Sequence, residues 1–119
     1  MRYLPLFAVM GALLVSSVMV TSCATATSPR HIGLKYDAAT HTLKVNVVHL
    51  SPVTKIHYVY RVEIDKNGVV YQVHLYQKQP GIFLLRYTYT NVTATSGETL
   101  TVSAYCVLWG NLQKSMVVP

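Results

Sequence analysis

The stretch Ser103 to Gly110 reads SAYCVLWG and carries Cys106, the one thiol outside the N-terminal segment. A lone thiol has two uses. It can pack as a small apolar side chain, or its thiolate can bind a metal. Imidazoles are the natural companions for the second use, and histidines stand at 31, 41, 49, 57 and 74. Other chemistries find no support. The carboxylates Asp37, Glu63, Asp65 and Glu98 are scattered and form no acid–base pair. There is no G-x-S-x-G nucleophile turn and no glycine-rich phosphate loop. Asn91 opens an N-V-T sequon that reads as a turn.

The N-terminus gives an address. Arg2 precedes an apolar run from Leu4 to Val20 that holds no charge and only Ser16 and Ser17 as polar residues. At about 17 residues the run is at the short limit for a hydrocarbon core of ~30 Å. A transmembrane anchor is the competing reading; an export signal fits better. The run ends in VTSC, Val20 to Cys23, which resembles the lipobox of bacterial lipoproteins. That resemblance implies removal of residues 1–22 and lipidation of Cys23. The protein would then sit at a cell-membrane or outer-membrane surface of a bacterial envelope, held by acyl chains rather than by a spanning helix. Residues 23–29 are small and uncharged and read as a lipidated tether ending at Pro29.

Removing residues 1–22 from the 119 leaves 97, enough for one domain over 30–119 with a single core. Losing Arg2 lowers the formal charge from +6 to +5. The cations are dispersed, whereas a nucleic-acid face needs clustering. Nucleic acid is therefore excluded as a partner. An envelope protein or the membrane itself fits better. With Cys23 acylated, Cys106 has no disulfide partner in the chain.

The elements that position these residues read as strands. Val, Thr and Tyr dominate the domain, and turn signals recur every 8–12 residues, the spacing of a sandwich. Leu43, Val45 and Val47 alternate on one face. Tyr58, Tyr60, Val62 and Ile64 are expected on one face of a strand over 57–65. Val69, Tyr71, Val73 and Leu75 are expected together on its partner over 69–77. Asn67-Gly68 between them signals a tight hairpin. Phe83, Leu85, Tyr87 and Tyr89 share a face, as do Leu100, Val102, Ala104, Cys106 and Leu108. Shorter strands cover HIGLKY and SMVV. The expectation is an all-β, immunoglobulin-like antiparallel sandwich of about seven strands. By parity Cys106 points into the core.

Three stretches, RHIGLKY, SPVTKIHYVYRVEI and SAYCVLWG, together resemble the iron-binding domain of superoxide reductases, also called desulfoferrodoxins and neelaredoxins. Pro52 to Val59 follows that family's Pro-Met-Thr-x-x-His-Tyr-Ile almost position for position. The resemblance spans roughly residues 30–110 and implies the same sandwich. It also implies a mononuclear iron held by four imidazoles and an axial thiolate, with a cation beside the open position to attract an anion.

Carried across by that resemblance, His31, His57 and Cys106 fall on ligand positions. Arg30 takes the place of the anion-attracting lysine. Ser51 and Trp109 stand where the other two imidazoles belong. His49 lies two residues before Ser51 on the same face, ~6.6 Å along the strand, and would serve only with a shifted backbone or metal. His41 and His74 read as ordinary histidines. Trp109 has no lone pair for a metal and is expected to fill the vacated position. Two readings lead, ahead of a third in which superoxide reductase activity persists with an unusual ligand set. One is a membrane-anchored binding or structural module whose iron site is lost and which needs no cofactor. The other is a metal-binding redox protein that keeps His31, His57 and Cys106 for Fe²⁺ or Zn²⁺.

Overall fold

A computed structural model describes residues 28–119. They form seven strands: β1 (His31–Asp37), β2 (Thr42–Val48), β3 (Val59–Lys66), β4 (Val69–Leu75), β5 (Leu84–Tyr89), β6 (Thr99–Cys106) and β7 (Asn111–Val117). No helix among the described residues is long and apolar enough to cross a membrane. Two antiparallel sheets result, ordered β1-β2-β5 and β4-β3-β6-β7. The expected all-β sandwich is the observed fold.

The core is built by period-two rows from both sheets. Leu43, Val45 and Val47 of β2 and Leu85 of β5 are fully buried against Val62 and Ile64 of β3 and Leu100, Val102 and Ala104 of β6. Each such side chain contributes about 1.5–3 kcal/mol through removal from water. Cys106 continues the inward row of β6 and is buried.

The β3–β4 hairpin turns through Asn67 and Gly68, at φ 52° and 80°. Two successive positive φ values make the tight turn whose twist matches the strands. Two irregularities in β3's pairing correct the expected faces. Val59 pairs with Cys106 but Arg61 pairs with Tyr105, so Tyr60 is an extra residue. Such a bulge resets the alternation. Val59 and Val62, three apart, both enter the core, while Tyr58 and Tyr60 are only half-buried. On the other side Ile64 pairs with Gln72 and Asp65 with Val70, leaving Tyr71 as the extra residue. Val73 and Leu75 therefore face outward and are exposed, and His74 is partly buried with its ring stacked on Tyr89 at 4.2 Å. Phe83 falls before β5 and is exposed rather than part of its inward row.

Candidate metal centre

The inward row of β2 does not stop at the end of the strand. After Leu43, Val45 and Val47 the next inward residue is His49, also fully buried. A buried imidazole needs hydrogen-bond partners, and Gln79 supplies one. Gln79 Oε1 accepts from His49 Nδ1 at 2.7 Å and from the Val59 N–H at 3.2 Å. Its Nε2 donates to the carbonyls of His49 at 3.1 Å and Gly81 at 2.9 Å. Two carbonyls facing the amide nitrogen, and a main-chain N–H facing the oxygen, fix which way the amide lies. His49 Nδ1 is therefore the donor to Gln79, and in the neutral tautomer with that N–H it is Nε2 that has the lone pair.

His57 comes from the loop between β2 and β3. Its N–H donates to the Val53 carbonyl at 2.9 Å, and its own carbonyl accepts from Ser51 Oγ. Its ring meets that of His49 edge-on, with centroids 4.7 Å apart and planes at 81°. Cys106 closes β6. Its N–H donates to the Gly110 carbonyl at 3.0 Å, and the next N–H, of Val107, donates to the Tyr58 carbonyl at 3.0 Å. That second bond ties the cysteine to the loop holding His57.

One donor atom each from His49, His57 and Cys106 lies within 4.8 Å of the others. Bond lengths of ~2.3 Å to sulfur and ~2.0–2.1 Å to nitrogen place tetrahedral donors ~3.3–3.6 Å apart. The group must close by about 1 Å to take an ion. His49 is locked by Gln79 and Cys106 by its strand. His57 is half-buried and is supplied by a loop rather than a strand.

Of the residues expected at a site, His57 and Cys106 come together. His31 is not in this group. It opens β1 in an exposed position, with its Nε2 3.9 Å from where a Cβ on Gly33 would stand, while Ile32 turns inward. Arg30 is exposed and donates its N–H to the Val48 carbonyl at 2.8 Å. Ser51 is fully buried but serves the His57 carbonyl. The expectation that Trp109 fills a vacated ligand position is overturned, since its side chain is 62% exposed. It sits in the turn before Gly110, whose φ of 76° swings residues 107–109 outward. His41 is exposed in the β1–β2 turn. Cys23 lies outside the described residues.

His49, expected to serve only with a shifted backbone or metal, did have a signal of its own: it is the next term of the Leu43, Val45, Val47 alternation. Gln79 had none, because its role depends on a loop fold. The donor set does not provide the four imidazoles of a superoxide reductase iron. It fits a cation held by two imidazoles and one thiolate. Comparison with protein-family models, with curated proteins and with solved structures finds no match.

Proposed function

We propose that this chain is an exported, lipid-anchored domain that holds one transition-metal ion between His49, His57 and Cys106. The carrying observation is the buried His49, whose Nδ1 is bound by Gln79 so that Nε2 carries the lone pair. Metal-binding histidines donate their other ring N–H to a partner of this kind. One thiolate and two neutral imidazoles suit a borderline cation such as Zn²⁺ or Fe²⁺. Three protein ligands leave a further position for water or a small ligand. The resemblance to superoxide reductases supports kinship, since two positions it marks, His57 and Cys106, belong to the group. On this reading the family's site has contracted from five protein ligands to three.

Cobalt(II) substitution tests the assignment. The chain should give a thiolate-to-cobalt charge-transfer band that Cys106→Ser abolishes. His49→Ala and His57→Ala should weaken metal binding by at least tenfold, of the order expected when a ligand or its support is removed. His31→Ala should leave it unchanged. A band that survives Cys106→Ser, or one lost with His31→Ala and kept with His49→Ala, refutes this ligand set.

A further inference from the structure

Three loops meet at the end of the sandwich that carries the His-His-Cys group. The His49 N–H donates to the Phe83 carbonyl at 2.9 Å and the Ser51 N–H to the Ile82 carbonyl at 2.8 Å. The Val107 bond to Tyr58 joins the third loop. These loops turn large apolar side chains into solvent. The 49–58 loop exposes Leu50, Val53 and Ile56, the last at 67%. Ile82 and Phe83 stand exposed beside it, and Leu108 and Trp109 beyond. Most of the exposed large hydrophobics among the described residues lie at this end. Apolar side chains gathered in this way mark an interaction surface.

A cationic cleft of about 780 Å³ adjoins this rim. Lys55, Lys78 and Arg86 line it together with Tyr76 and Tyr87, and no carboxylate is among its lining residues. The one ion pair among the described residues is Arg61–Glu63, so these three cations have no acidic partner there. Tyr87 is 7% exposed and its hydroxyl meets no partner. Three cations without acidic partners present the chemistry that receives an oxyanion. Cleft and rim share their loops: Lys55 precedes Ile56, and Pro80 lies two residues before Ile82.

The described chain also starts at this end, where Ser28 packs against Gly110 of the third loop. Cys23 is five residues earlier, so the two cannot be more than about 18 Å apart. We propose that this end of the sandwich rests on a lipid bilayer. The apolar rim enters the interface, and the Lys55–Lys78–Arg86 cleft takes a lipid phosphate. This proposal rests on the lipid-anchor reading. The short tether decides for lipid over a protein partner, because it departs from Ser28, which lies against Gly110 of the loop that carries Leu108 and Trp109.

Trp109 is the single tryptophan of the sequence and reports on this contact directly. The lipidated chain that begins at Cys23, reconstituted in vesicles of phosphatidylcholine and phosphatidylglycerol, should show Trp109 emission quenched by lipids brominated on their acyl chains. It should be shielded from aqueous iodide. A Trp109→Phe, Ala39→Trp variant, with its indole in the β1–β2 turn at the opposite end, should show the reverse, several-fold in both measurements. Lys55→Glu with Lys78→Glu should reduce acyl-chain quenching when phosphatidylglycerol is present, and excess inorganic phosphate should not. If the chain floats with the vesicles while iodide reaches Trp109 as readily as the control, the docking fails and the anchor stands. If the chain does not float with vesicles, both fall. Quenching unaffected by the lysine substitutions, or abolished by free phosphate, overturns the lipid-phosphate assignment.

Discussion

Replacing Gln79 with methionine separates the hydrogen bonds at the candidate metal centre from its packing. The two side chains are similar in volume, and Gln79 is 3% exposed, so the change removes polarity without opening a cavity. Four hydrogen bonds disappear: those from His49 Nδ1 and the Val59 N–H, and those to the His49 and Gly81 carbonyls. A neutral hydrogen bond is worth about 0.5–1.5 kcal/mol net, and an orphaned buried group costs about 1–3 kcal/mol. The apolar methionine offsets part of this. The expected loss is about 2–4 kcal/mol, read by urea unfolding of the metal-free protein. Metal affinity should also fall ~10–100-fold, because His49 loses the partner that fixes its tautomer. Gln79→Glu provides the contrast. A carboxylate still accepts from His49 Nδ1 and Val59 but meets two carbonyl oxygens that it cannot serve. It should cost stability while retaining affinity better than methionine does. A methionine variant that loses less than about 1 kcal/mol and binds metal as the parent does would refute the tautomer argument.

Two further outcomes follow from the fold. Burial holds the His74 imidazole below its ordinary pKa of 6.5, so the unfolded chain takes up the proton first. Its contribution to stability is complete above pH ~6.5 and declines as the pH falls below that value. His74→Phe keeps an aromatic ring against Tyr89 and should flatten this part of the stability–pH curve; an unchanged slope refutes it. Gly110 has a φ of 76°, and a Cβ there would collide with Ser28. Gly110→Ala should cost about 1–2 kcal/mol from the left-handed backbone alone. It should also weaken metal binding, because the Gly110 carbonyl holds the Cys106 N–H; equal unfolding midpoints would contradict this.

The strands were legible because their apolar residues alternate. Leu43, Val45 and Val47, and Leu100, Val102 and Ala104, declare their faces without tertiary information. The two bulges were not legible. Tyr60 and Tyr71 sit in runs that alternate correctly, and only pairing to a neighbouring strand shows the extra residue. Two of the three residues of the candidate site, His57 and Cys106, followed from the motif resemblance. His49 was weighed only as a stand-in that needs a shifted backbone or metal, because the resemblance placed the ligand position at Ser51, although its own strand pattern pointed it inward. Trp109 was misplaced for a different reason. Bulk and apolarity suggest burial, but a positive φ at Gly110 aims the preceding turn outward.

The metal reading also accounts for a cost that packing does not. His49 extends β2 of one sheet, while His57 leads into β3 and Cys106 ends β6 of the other. Each strand's ladder stays within its own sheet, so apolar contact is the main bond between them. At this end the apolar rows stop, and an imidazole, a second imidazole and a thiol take their place. A valine at position 49 would fill the same row without needing Gln79. A buried histidine there instead requires an amide held by four hydrogen bonds. That expense is intelligible if the imidazole must present a lone pair across the gap between sheets. An ion gripped by donors from both sheets binds the folded state and not the unfolded one. At a concentration 100 times its dissociation constant it would add about 2.7 kcal/mol to stability, at the one end of the sandwich where the hydrophobic core gives out.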